Sequence, residues 1–411
     1  MNDALVFLLL FSAVACGWWL GRRSAARLSP PLAPLPSQYY RGLNYLLDGR
    51  PDGAIDHFIS ALEVNSETLE THIALGNVLR RRGEVERAIR IHQNLLARPD
   101  LPRAQMHLAH LELARDYIGA GLLDRAERLL LDLVAESDEQ RDVSRQYLLE
   151  LYRLEGEWAK AIEQARALLP RRSLLRAVGP TPRLPGQAVA VQMAHFYCEL
   201  ALERVAAGDI DAARAELARA LDSDDACVRA SLELGKLEAM AGNHRQSIAV
   251  LSRVEVQDPD FLSAALPALR ESYLALGEAR ALADYLRQCF EKHPSTPLMI
   301  AVADDLLRER GRAAARDFLA SCLARSPSLR GLRQLIHLQQ ESSTSQPADS
   351  LPMLSMLLDR LIEERPAYRC EHCGFAARHL LWFCPGCKYW GTLRSIRSAE
   401  TSGSAPPIRG R

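Results

Sequence analysis

The sequence predicts a mainly α protein: a solenoid of stacked helical hairpins, preceded by an N-terminal transmembrane helix and followed by a small C-terminal metal-binding knuckle domain. Three observations carry that prediction. Residues 4–20, "ALVFLLLFSAVACGWWL", are apolar or small throughout. Glycines recur at near-constant intervals through the middle of the chain. Four cysteines stand as two Cys-x-x-Cys pairs in "CEHCGFAARHLLWFCPGC", residues 370–387.

The apolar run of 17 residues makes roughly 25 Å of helix, near the short limit for a bilayer core. Trp18 and Trp19 suit the headgroup boundary. Arg22 and Arg23 follow at once, with Arg27 behind them, and no basic residue precedes the run. The positive-inside bias therefore puts the bulk of the chain on the cytoplasmic side, behind a single-pass anchor over residues 1–21. A cleaved signal peptide carries its charge in front of the apolar run, not behind it. Cys16 after "AVA" keeps a lipoprotein reading open, and the arginine pair downstream argues against export. Residues 22–38 are basic and then Pro-rich, which predicts an extended spacer.

Residues 39–338 form the expected repeat array of about eight units. Gly49, Gly83, Gly121, Gly156, Gly208, Gly242, Gly277 and Gly311 are separated by 34, 38, 35, 52, 34, 35 and 34 residues. One helical hairpin fills each interval. The glycine supplies the left-handed backbone of a tight turn. Small residues five places on (Ala54, Ala88, Ala126, Ala161, Ala213, Ser247) allow the second helix to approach the first. Leu282 and Arg316 hold that place in the last two units and mark weaker matches. Ile89, Leu95 and Leu96 illustrate the apolar stripe that a neighbouring hairpin has to cover. No hairpin buries its face alone, so the units are expected to stack. The pattern resembles tetratricopeptide repeats, which implies protein binding rather than catalysis. The long interval holds a loop at 170–187, rich in Pro and Arg. Residues 339–366 read as a low-complexity break followed by a short helix, and 398–411 as a disordered tail.

Cys370, Cys373, Cys384 and Cys387 have C-x2-C-x10-C-x2-C spacing, which turns both sulfurs of each pair toward one point and completes a tetrahedral S4 site. Four thiolates saturate the ion, so His372 and His379 are assigned to the surface and the metal to a structural role. The two knuckles resemble those of rubredoxin, with Tyr368, Phe375, Trp382 and Trp390 expected to pack around the centre. Iron is the metal that this resemblance implies, and zinc fits the same donors. A domain of residues 367–397 has little core of its own; it is expected to fold on binding metal and to rest against the repeats.

Lys+Arg and Asp+Glu are 51 each, so no global field favours nucleic acid. The five remaining cysteines are scattered, which fits reduced thiols. No H-E-x-x-H, G-x-x-x-x-G-K-[ST], G-x-S-x-G or G-x-G-x-x-G motif is present, and no catalytic residue is assigned. His107 and His110 read as repeat surface or core, and Asp304 with Asp305 as a solvated helix face.

Taken with "GWWLGRRSA", "RGEVERAIRIHQ", "ARDYIGAGLLDRAE" and "AHFYCELAL", the order of anchor, repeats and cysteine knuckles resembles the lipopolysaccharide assembly protein B family. The resemblance covers roughly residues 1–397. It implies a non-enzymatic adaptor of the cell inner membrane that regulates lipopolysaccharide synthesis. The implied partners are a membrane-bound AAA+ metalloprotease, the UDP-3-O-acyl-N-acetylglucosamine deacetylase of lipid A synthesis that this protease degrades, and an inner-membrane lipopolysaccharide sensor. Homodimerisation is left open, and no partner-binding residue is identified. A membrane-tethered rubredoxin-type electron carrier and a general interaction scaffold are the alternatives.

Overall fold

A computed structural model describes residues 11–19, 44–45, 69–99, 101–169, 187–340 and 350–396. Several expectations lie outside these residues: Arg22 and Arg23, the spacer, the hairpin around Gly49, the loop up to residue 186, most of the Ser-rich break and the tail. Residues 11–19 of the expected span are helical, with Phe11, Val14, Trp18 and Trp19 exposed. Among the described residues, no helix is long and apolar enough to cross a membrane.

The chain divides into two compact units that part between Ser144 and Arg145. The described residues of the first include two hairpins, α1 (Leu69–Arg81) with α2 (Val85–Leu96) and α3 (Arg103–Gly119) with α4 (Leu123–Glu136). Helix α5 (Arg141–Glu155) carries the chain into the second unit. There follow α6 (Trp158–Leu168), α7 (Val189–Ala206), α8 (Ile210–Ser223), α9 (Val228–Met240) and α10 (His244–Ser252). A short helix α11 (Val254–Gln257) and a 3-10 turn (Pro259–Phe261) lead into α12 (Leu262–Ala275), α13 (Ala279–Lys292), α14 (Thr296–Arg310) and α15 (Arg312–Arg325). The helical part ends with α16 (Leu329–Gln340) and α17 (Ser350–Glu364).

The periodic glycines close the first helix of each described hairpin. Gly83, Gly121, Gly156, Gly208, Gly242, Gly277 and Gly311 all have φ between +73° and +85°. At the α1–α2 turn the N–H of Glu84 donates to the Leu79 carbonyl at 2.9 Å and that of Gly83 to Arg80 at 3.0 Å. This is the pair of bonds that satisfies the end of a helix when one residue turns left-handed. Behind each turn Ala88, Ala126, Ala161, Ala213 and Ser247 are fully buried, and Ser272 donates its hydroxyl to Ser247 at 3.0 Å.

Two details depart from the sequence pattern. In the last hairpin the exposed Arg316 does not face the neighbouring helix; Ala315 is the fully buried residue. Gly311 itself caps α15 there, with ψ of 178°, so the second helix starts one residue sooner after the glycine and the register moves with it. On α2, Ala88, Ile91, His92 and Leu95 are the buried residues, whereas Ile89 and Leu96 are only half-buried.

His92 is inside because α1 makes room for it: a Cβ at Gly76 would come within 2.5 Å of the imidazole. His92 Nδ1 lies 2.5 Å from Asp116, whose other oxygen accepts from Arg80 at 2.6 Å, and Arg80 also reaches Glu112 at 2.8 Å. Three helices of the first unit are thus joined by a charged network beneath their apolar contacts.

The last described element is a three-stranded antiparallel sheet, ordered β2–β1–β3, from β1 (Tyr368–Cys370), β2 (Ala376–Ala377) and β3 (Leu393–Ser395). Tyr368 pairs with Ala377 on one side and Ser395 on the other.

Candidate metal centre

Each knuckle is a reversed turn built on the same two backbone bonds. In the first, the Cys370 N–H donates to Phe375 at 2.8 Å and the Gly374 N–H to Cys370 at 2.9 Å. In the second, the Cys384 N–H donates to Tyr389 and the Lys388 N–H to Cys384, both at 2.8 Å. The residue after the second cysteine must turn left-handed, and Gly374 does so at φ +78°. Lys388, its counterpart, takes φ +61° without being glycine.

The folded knuckles bring Cys370, Cys373, Cys384 and Cys387 together, all four sulfurs lying within 4.8 Å of one another. Sulfur separations are 3.7 Å for Cys370 with Cys387 and 3.6 Å for Cys373 with Cys384. A tetrahedral ion with bonds of about 2.3 Å to sulfur would set its ligands about 3.8 Å apart, so the donor set fits zinc or iron. His372 and His379 are exposed and stand outside the group, with His372 tilted against Tyr389 at 4.3 Å.

The thiols differ in acidity. Burial would raise Cys370, but the Thr392 hydroxyl at 3.2 Å and the backbone N–H groups of Cys373 and His372 outweigh it and hold the thiol down to about 7. Burial, followed by Cys384 and Cys370 alongside, pushes Cys387 up to about 12, and burial raises Cys373 as well. Four crowded sulfurs shed their protons fully only in favour of a cation.

The aromatic residues divide into two sets. Tyr368 and Phe375 pack with Cys370, Cys384 and Leu393 around the centre, as expected. Trp382 and Trp390 instead turn outward to the helices. Trp390 stacks on His195 of α7 and meets Phe196 edge-on at 6.1 Å, and Trp382 stacks on Phe261 at 5.2 Å. Arg229 of α9 lies 6.0 Å from the Trp382 ring and 5.8 Å from that of Trp390. Gln187 clamps the Trp390 backbone, donating to its carbonyl at 2.7 Å and accepting from its N–H at 2.8 Å. At the rim, Lys388 pairs with Glu150 and Arg394 with Asp258, each at 2.9 Å. The reason for the outward turn is size: a module this small has no interior for two indoles, and the helices provide one.

None of Gln187, His195, Arg229 or Phe261 was identifiable as part of this seat from the sequence. "AHFYCELAL" offered a polar residue on an apolar helix and nothing about what it faces. Of the other residues considered, His107 is buried and His110 half-buried. Asp305 is not solvated: it is buried and stands 3.9 Å from Arg287, while Asp304 accepts from Gln334 at 3.0 Å.

Comparison with known proteins matches residues 368–395 to a rubredoxin metal binding domain of the zinc-ribbon kind, and residues 71–104 and 198–260 to tetratricopeptide repeats. Lipopolysaccharide assembly protein B of Escherichia coli K12 is 36% identical over 399 residues, covering 96% of this chain and 99% of its own. The chain belongs to the lipopolysaccharide assembly protein B family. A second member, from Haemophilus influenzae, is 31% identical over 406 residues with the same coverage of both chains. Solved structures are more distant. A tetratricopeptide repeat protein from Parabacteroides merdae is 16% identical, covering 72% of this chain and all of its own, with a TM-score of 0.32. A Naa15/Naa10 complex is 14% identical, covering 78% of this chain and 46% of that one, with a TM-score of 0.40.

Proposed function

We propose that this protein is a non-enzymatic adaptor on the cytoplasmic face of the inner membrane that regulates lipopolysaccharide synthesis. In this reading it presents the lipid A pathway deacetylase to a membrane-bound AAA+ metalloprotease, under restraint by an inner-membrane lipopolysaccharide sensor. The observation that carries it is a helical-repeat chain matched along 96% of its length by a protein named for lipopolysaccharide assembly. Stacked hairpins present a long side-chain surface without requiring a reaction centre.

The proposed mechanism is confinement. A membrane helix over residues 1–21, with Trp18, Trp19, Arg22 and Arg23 at its cytoplasmic boundary, holds the repeats beside the protease. A bound client then meets the protease at raised effective concentration. Cys370, Cys373, Cys384 and Cys387 hold a metal, iron in the rubredoxin reading, that fixes the terminal module on its seat. Deleting residues 1–21 is expected to release the protein from membranes and raise deacetylase levels in cells. Unchanged levels in cells that express the shortened chain would overturn the reading.

A membrane-tethered electron carrier is the second reading, favoured by the exposure of Cys373 at the edge of the sulfur set. Purified holo-protein that holds only zinc, or iron with no reversible reduction, removes it.

A further inference from the structure

The first unit carries a groove of about 360 Å3 that the metal centre and its seat leave unused. Its floor is α3, through His110, Leu113 and Tyr117. Leu96 at the end of α2 forms one wall, and Arg125, Arg128 and Leu129 of α4 form the other. The groove therefore opens between the second helices of two consecutive hairpins. Both arginines are exposed, and no carboxylate among the described residues pairs with either. Arg125 lies 5.9 Å from the Tyr117 ring, and the Tyr117 hydroxyl accepts from Gln93 at 3.1 Å. The acidic residues of α4, Asp124, Glu127, Asp132 and Glu136, do not line the groove, and Asp132 and Glu136 act on it only through His110 at the far end of its floor from Tyr117. The result is a leucine-walled channel with a cationic edge.

We propose that this groove docks an extended peptide segment in which acidic and leucine-like residues alternate. Charge complementarity and spacing both select it. Residues three apart on a helix set their Cβ atoms about 5–6 Å apart. Alternate side chains of an extended strand lie about 7 Å apart on one side. Two carboxylates at i and i+2 thus come within reach of Arg125 and Arg128, whose side chains are long enough to take up the difference, while the intervening residues turn toward Leu96 on the opposite wall, over the floor at Leu113. Two guanidinium groups also suit carboxylates in paired hydrogen bonds. A fatty acid presents one carboxylate and leaves the second arginine unanswered. The proposal rests on the adaptor reading and specifies which chemistry a client displays.

The test is fluorescence anisotropy of labelled acetyl-Leu-Asp-Leu-Asp-Leu-amide with the full chain in detergent micelles. Saturable binding is expected, weakened at least tenfold in Arg125→Glu/Arg128→Glu. The Leu-Lys-Leu-Lys-Leu peptide is expected to show the reverse preference. Both arginines are exposed, so unchanged far-ultraviolet circular dichroism should accompany the loss. No binding by the wild-type chain, equal affinity for the two peptides, or an unaffected double variant would overturn the proposal. So would laurate or phosphatidylglycerol vesicles filling the site at lower concentration than the peptide. If the peptide result fails while deletion of residues 1–21 still raises deacetylase levels, the groove assignment falls alone. If the peptide binds as expected and the deletion has no effect, the adaptor reading falls alone.

Discussion

The indole of Trp390 stacks on the imidazole of His195, ring centroids 4.9 Å apart and planes 17° from parallel, across 195 positions of sequence. Both residues are buried. The contact gives the metal module a substitute for the core it lacks. Trp390→Ala is expected to cost about 3–5 kcal/mol, and His195→Ala less, since an aromatic pair contributes about 0.5–1.5 kcal/mol beyond its buried area. Limited proteolysis reads this directly: both variants should release a fragment from residue 365 onward, Trp390→Ala faster. Equal resistance of wild type and Trp390→Ala would mean that the seat does not hold the module.

His195 also introduces a pH dependence. Burial, and then the positive charge of Arg229, lowers its pKa to about 3, against about 6.5 for a free imidazole. The folded state therefore excludes a proton that the unfolded state accepts. Its stabilising share is complete above pH 6.5 and is lost progressively as pH falls toward 3. Tryptophan fluorescence should report loosening of the seat across that window. His195→Phe should lose less stability than wild type on acidification. Parallel acid titrations of the two proteins would show that protonation lies elsewhere, as at the thiolates.

Removal of a cysteine should separate the clustered sulfurs from the scattered ones. Cys370→Ser or Cys384→Ser is expected to abolish bound metal and disorder residues 367–396. Cys227→Ser, at a buried cysteine outside the group, should keep its full metal content. Elemental analysis of the purified variants decides this, and the wild-type value identifies iron or zinc.

Lys388 occupies a left-handed position that its counterpart Gly374 fills without cost. Its ion pair with Glu150 is largely exposed, the lysine side chain being 62% accessible, and such pairs contribute about 0–1 kcal/mol. Lys388→Gly should therefore be neutral to stabilising, by up to the roughly 1–2 kcal/mol that an L side chain costs in that backbone, whereas Lys388→Val should destabilise relative to wild type, because a branched side chain resists it further. Chelator challenge at increasing temperature ranks the three proteins.

Asp116 is fully buried between His92 and Arg80. Asp116→Ala leaves Arg80 a mostly buried charge without its closest partner, and removing one member of a buried pair costs about 3–5 kcal/mol. Asp116→Asn should cost less, since it keeps the shape and one hydrogen bond to each neighbour. Thermal denaturation followed by circular dichroism should show that order.

The hairpin array was legible because its signals are local. A left-handed turn needs glycine wherever it occurs, and a close crossing needs a small residue at a constant distance from it. Gly83 and Ala88 state that rule, and Gly121 and Ala126 repeat it. The register shift at Ala315 was hidden, since nothing around Gly311 announces a helix that starts one residue sooner. The sulfur set was legible for the same reason: x2 spacing and the turn it requires are confined to a few residues.

Helix and turn positions, and the convergence of Cys370 with Cys373 and of Cys384 with Cys387, were determined by the sequence through short-range sterics and donor spacing. Which surface the knuckles rest on was decided only by tertiary structure. His195, Arg229, Phe261 and Gln187 lie on separate elements, and their common task depends on how stacked hairpins bring distant side chains into one hollow. No periodicity records that distance. The same holds for Arg125 and Leu96, which become the opposite sides of one channel only once α3 lies between them.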